Sequence, residues 1–184
     1  MNSPQQDIRR VVRELCEPSN ANEMLQAVDQ YFSPDSQIIY PLFNSPKASG
    51  IEGVKAAYKM LRVLTYGNSV DFHAIGFDRI YVEKGVEKQR GIIDFTEHLK
   101  FKFPLPEKLN PWFHVRFLTR LDLVRNPNDE KWYVEKQEDN LPTDFGSSGI
   151  RVFPFDAKIS NFIKWCTGTG TLLVGGTLSR LNIL

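Results

Sequence analysis

Glu97 is the residue of this chain best placed by type and spacing to move a proton. It falls in phase with Ile93, Phe95, Leu99 and Phe101, the dry side of an alternating strand, whereas Asp94, Thr96, His98, Lys100 and Lys102 take the wet side. A carboxylate on the dry side loses solvation and becomes a base with a raised pKa. Two structural readings compete with that one: a bulge that shifts the register, or a pairing of Glu97 with Arg116 or another cation. Tyr40, Tyr58 and His73 join Glu97 as the few polar groups expected near an apolar pocket, His73 because it alternates with Ile75 and Phe77.

Other chemistries lack their residues. The three histidines, His73, His98 and His114, fall on different expected strands without ligand spacing, so no metal site is assigned. His98 and His114 share the wet phase with Asp94 and Arg116. Cys16 and Cys166 are far apart and read as reduced thiols. No nucleophile elbow, phosphate-binding glycine loop or cysteine–histidine signature is present. Gly168-Thr169-Gly170 follows the strands instead of joining a strand to a helix, which speaks against a dinucleotide site. No catalytic residue and no cofactor are therefore assigned. A net charge of +1, with no stripe of Lys and Arg, excludes nucleic acid as a partner.

The elements that must position these residues follow from periodicity. Ile8, Val11, Val12 and Leu15 recur at helical spacing, as do Met24, Leu25, Val28, Tyr31 and Phe32, and again Val54, Ala57, Tyr58 and Leu61. Ser33-Pro34-Asp35 reads as a turn and residues 37–43 as a short buried strand. The second half changes period, predicting strands over 69–83, 88–103, 112–125 and 131–138. One wet and one dry face imply an antiparallel sheet, and strands this long must coil to stay covered. Thirteen Phe and three Trp suit a sheet closing over a wide interior. The expected fold is α+β: a cone-shaped, strongly bent antiparallel sheet wrapped around N-terminal helices over 1–140. A polar linker over 141–155 and an amphipathic, apolar segment over 156–184, capped by Asp156, complete the chain.

This order of elements resembles the nuclear-transport-factor-2-like (ketosteroid-isomerase-like, SnoaL-like) superfamily over roughly Ile8 to Asp139. The residues that carry the resemblance are Tyr31-Phe32-Ser33-Pro34-Asp35-Ser36, then Ile38 to Pro41, then Gly50 with the helix Ile51 to Leu61. The chain is also similar to fungal SigF-like members, which tend to end in an apolar segment. The resemblance implies the cone fold, and from its isomerases a general-base Asp before a Pro and a protonated Asp on a later strand. Here Tyr40 precedes Pro41, and no acid lies around Leu118 to Arg120, so both roles are vacant.

Two apolar surfaces remain. Phe101, Phe103 and Trp112 flank a connection rich in bulky residues, and connections usually lie at the surface. Phe162, Trp165, Leu172, Leu173, Val174 and Leu178 mark a C-terminal segment too short to cross a bilayer, with Lys158, Lys164 and Arg180 nearby. That segment is expected at a membrane, folded over its own domain, or against another subunit. The polar N-terminus carries no apolar signal region, so the expected location is cytoplasmic, peripheral on an intracellular membrane. The resulting reading is a non-catalytic domain holding a small hydrophobic, lipid-like or polycyclic ligand. The alternatives are an isomerase, cyclase or dehydratase using Glu97 or His73 as base with Tyr40 as donor, and a scaffold forming a homodimer through His114, Arg116 and Arg120.

Overall fold

Capping and apolar spacing explain where the helices begin and which side they bury. In the computed structural model, which describes residues 1–40, 43–102, 110–141 and 162, helix α1 runs Pro4–Cys16. Pro4 sits in its first turn, where no amide bond is lost. Its stripe Ile8, Val11, Val12 and Leu15 is buried. Helix α2, Ala21–Tyr31, starts at Asn20, whose Oδ1 accepts from the amides of Asn22 and Glu23 at 3.0 Å each. Met24, Val28 and Tyr31 lie on its buried side. Helix α3, Gly50–Leu64, follows a single 3-10 turn at Lys47–Ser49 and buries Val54 and Tyr58.

The strands are β1 Phe32–Tyr40, β2 Phe43–Asn44, β3 Thr65–Phe77, β4 Tyr81–Glu83, β5 Val86–Phe101, β6 Phe113–Arg125 and β7 Trp132–Asn140. They form one sheet in the order β2-β1-β7-β6-β5-β3, with β4 also pairing β5. The expected all-antiparallel, strongly bent cone is corrected by this topology. β1 runs parallel to β7, Ile38 opposite Gln137, so the sheet is mixed. Its ends, β2 and β3, do not pair with each other, so it is open and neither closed nor strongly curled. The helices lie at its start in the chain, and α1, α2 and α3 bury their stripes on the side of Ile93, Phe95, Leu99, Val115, Phe117 and Leu121.

Register, more than strand identity, decides which side chains turn inward. β5 and β6 pair without a shift from Lys88↔Val124 to Leu99↔Phe113, so their alternation runs unbroken. Four other places are interrupted, one of them in the β1–β7 pair between Phe32 and Gln37. In β3 one extra residue lies between Tyr66 and Ser69, and another between Phe72 and Ala74. In β7 Glu135 is extra, since Asp122 faces Lys136 and Leu123 faces Val134. Each bulge exchanges the two faces for every residue beyond it. The strand expected over 69–83 is likewise divided. Between β3 and β4 the chain leaves the ladder at Asp78, whose carbonyl accepts from Gln89 Nε2 at 2.8 Å.

The chain divides into two compact units, Met1–Leu141 and Pro142–Leu184. The expected linker and C-terminal segment lie outside the described residues, Leu141 and Phe162 excepted; Phe162 is helical and exposed.

Gly50 joins β1 to α3. It sits at φ 50° and ψ −139°, a region open to glycine alone, and a Cβ there would clash with the Pro34 carbonyl oxygen. Gly50→Ala is therefore expected to cost about 2–4 kcal/mol. Urea denaturation checks this, the expected result being a lower midpoint with an unchanged slope.

Candidate functional site

The inward faces of β5, β6 and β7 carry two carboxylates. Glu97 comes from the unbroken alternation of β5 and is only 4% exposed, and Asp139 is brought inward by the bulge at Glu135. Had β7 continued the phase of Trp132 and Val134, Lys136 and Glu138 would have entered the core instead. Those two pair with each other in the outer, wetter layer at 2.9 Å.

Asp139 is held by neutral donors on both oxygens. Thr119 Oγ1 donates to Oδ1 at 2.5 Å, and Gln137 Nε2 donates to Oδ2 at 2.9 Å. Tyr58 Oη in turn donates to Gln137 Oε1 at 3.0 Å, so a chain of donors runs from α3 through β7 to the carboxylate. Burial pushes Asp139 up to about 6, and the two hydrogen bonds limit the rise.

Glu97 is held more loosely. Asn68 Nδ2 donates to its Oε1 at 2.9 Å, and its Oε2 has no hydrogen bond among the described residues. Arg116, the cation considered as its partner, instead makes a two-bonded pair with Asp94 at 2.9 and 2.6 Å on the opposite face. Burial pushes Glu97 up to about 7, opposed by the Asn68 bond and aided by the Asp139 charge. Asn68 reaches Glu97 because Gly67, at φ 67° in the first bulge of β3, turns the next side chain inward. Asn68 Oδ1 is buried and has no partner.

Tyr40 and Tyr58 lie near these acids. Tyr40 packs on Phe117, with ring centroids 5.6 Å apart, and burial and then the charges of Glu97 and Asp139 raise its pKa. Burial likewise raises the Tyr58 hydroxyl and, at the end of α1, the Cys16 thiol. His73 is the correction among the pocket candidates. It is the extra residue of the second β3 bulge, so it points outward, where its Nε2 lies 2.8 Å from Thr96 Oγ1. On that outer face Asp71 and His114 contact the two ring nitrogens of His98.

The interior is tighter than the expected wide cavity. Between α1 and the sheet a space of about 30 Å³ is bordered by Leu15, Cys16, Tyr58, Thr119 and Gln137. That is room for about one water, far below the several hundred Å³ of a site for a drug-sized ligand. Of the residues expected at a membrane or partner, Phe101 is half-buried against Phe113, with centroids 4.9 Å apart, and Trp112 is exposed. Phe103, Trp165, Leu172, Leu173, Val174 and Leu178 lie outside the described residues. Among the described residues no group of three or more His, Cys, Asp or Glu side chains is placed to hold a metal ion.

The arrangement is that of the nuclear-transport-factor-2-like fold, helices first and then a sheet whose inner face carries the polar groups. Solved structures show the likeness. A nuclear transport factor 2 superfamily protein from Salmonella enterica superposes with a TM-score of 0.57 at 14% identity, covering 77% of this chain and 93% of its own. A Caulobacter vibrioides protein with a cystatin-like fold gives 0.55 at 10% identity, over 78% and 92%. A type 2 hexachlorocyclohexane dehydrochlorinase gives 0.53 at 13% identity, over 74% and 82%. A profile of the SigF NTF2-like domain matches residues 1–183, and the chain belongs to that family. No curated protein matches.

Two substitutions test the network. Glu97 and Asp139 have folded pKa values raised above their usual 4.5 and 3.8, so the stability tied to their neutral forms is full below about pH 4. It is lost as pH rises through about 6 and about 7. Glu97→Gln keeps the shape and removes the charge. It is expected to stabilise the fold by roughly 2–3 kcal/mol at pH 8 and to change it little at pH 4. Thermal melts at the two pH values read this as an upward shift only in the alkaline sample. Tyr58→Phe strips the donor from buried Gln137 and should cost about 1–3 kcal/mol at either pH, measurable by urea denaturation.

Proposed function

We propose that the domain binds a small hydrophobic molecule bearing a hydroxyl or carbonyl group, received at the Glu97–Asn68 end of the inner face. The supporting observation is the unmet hydrogen-bonding capacity there. Glu97 Oε2 has no hydrogen bond among the described residues, and the buried Asn68 Oδ1 has none. A buried polar atom without a partner is costly, and a ligand hydroxyl would relieve Asn68 Oδ1. With a pKa of about 7, Glu97 carries a proton in about half of the molecules at neutral pH and can donate to an oxygen. Asn68 Oδ1 would accept from a hydroxyl. Phe95, Leu99 and Phe117 supply apolar surroundings that favour the rest of such a molecule.

A second reading, an isomerase, cyclase or dehydratase, is favoured by one observation: a carboxyl tuned to about 7 is suited to both taking and giving a proton near neutral pH. Asp139, with both oxygens engaged, would then be a fixed acceptor and Glu97 the working group.

Native mass spectrometry of the protein taken from its own host, with thermal shifts on adding 2-naphthol and 1-decanol, tests the binding reading. A bound small-molecule mass, or a rise in melting temperature that shrinks in Asn68→Ala, is expected. An empty protein that neither alcohol stabilises contradicts it. A recovered ligand that wild type converts and Glu97→Gln holds unchanged would establish the catalytic reading.

A further inference from the structure

We propose that the end of the domain formed by the last turn of α3 and the adjoining ends of β3, β5 and β6 docks on an anionic lipid surface. Met60, Val63 and Leu64 recur at helical spacing on the side of α3 away from the core, and are 50%, 68% and 47% exposed. Trp112, 49% exposed, joins them across Gly67, where its ring lies 3.1 Å from the position a Cβ would take. Large apolar side chains left in water on one helix face mark a contact surface.

The charge around them names the partner. Lys59 and Arg62 lie on the same turns of α3. The chain then brings Lys100 and Lys102 alongside, because Thr65 pairs with Phe101 and Tyr66 with Lys100. Lys102 caps the helix, its Nζ donating to the Arg62 carbonyl at 2.7 Å and its amide to the Leu64 carbonyl at 2.8 Å. Lys100 Nζ stands 5.0 Å from the Trp112 ring centre. No Asp or Glu occurs in residues 53–70, nor among the described residues of 98–118, so these four cations stand at this end without an acid from the described parts of those stretches. An apolar stripe with a Trp, flanked by these four cations, matches the acyl and headgroup layers of an anionic bilayer. A protein partner would have to supply an equally one-sided acidic, apolar face. Among the described residues no helix is long and apolar enough to cross a membrane, so the contact is peripheral.

The test is sedimentation of the full chain with phosphatidylcholine vesicles, pure or containing about a third phosphatidylserine. Binding to the anionic vesicles alone is expected, falling as salt is raised. Replacing Lys59 and Arg62 together by Gln should lower the partition coefficient roughly 30-fold, each cation near the surface being worth about 1 kcal/mol. Val63→Ser should weaken it further without changing the melting temperature. Wild-type binding that both variants retain in full would place the contact elsewhere in the chain and overturn the proposal. Absence of binding to either vesicle would overturn it as well, whatever protein the chain retains in a pull-down.

Discussion

Two carboxylates buried without a cation among the described residues are the constraint around which this domain is arranged. Taking a charged carboxylate out of water costs several kcal/mol unless it is paired, so the fold must neutralise it or surround it with donors. It does some of each. Asp139 receives a hydroxyl and an amide, whereas Glu97 receives a single amide and takes most of its relief through a raised pKa. Two cations on the neighbouring strand positions are spent elsewhere: Arg116 holds Asp94, and Lys136 holds Glu138, both on the other side of the sheet. This division keeps the inner face free of positive charge and leaves Glu97 able to change its protonation near neutral pH.

Bulges deliver the groups that serve the two acids. A sheet with strict alternation would offer the core only what its apolar phase dictates. One extra residue at Gly67 turns Asn68 toward Glu97, and one at Glu135 turns Gln137 and Asp139 inward. The same device works in reverse at His73, which it sends to the outer face. The parallel pairing of β1 with β7 then places Ile38 beside Gln137, closing the inner layer over the Tyr58–Gln137–Asp139 chain. Strain is accepted at few points, notably Gly50, where only glycine fits the backbone.

The helices, the strand-rich second half and the position of Glu97 were legible because each rests on uninterrupted periodicity. β5 and β6 keep their register throughout, so the phase that puts Phe95 inside also puts Glu97 there. Asp139 was hidden because the phase of Trp132 and Val134 points to Lys136 and Glu138, and a bulge of one residue carries no local signature. His73 was misplaced for the same reason. The parallel β1–β7 pair joins the two ends of the domain, and nothing near Phe32 announces a partner about a hundred residues away, hence the mistaken all-antiparallel cone. The width of the interior was also misread: beneath α1, where Phe32 and Phe95 are among the bordering residues, the space holds about one water. The absence of an acid around Leu118 to Arg120 was correct for those positions, yet Thr119 meets an acid reaching across from the next strand.

The most direct measurement is the titration of the Glu97 carboxyl carbon by nuclear magnetic resonance, assigned by comparison with Glu97→Gln. A midpoint near 7 is predicted, with the resonance moving again slightly as Asp139 ionises. A midpoint at or below the ordinary 4.5 would show a carboxylate that is solvated or paired, and would contradict the account of an uncompensated buried acid.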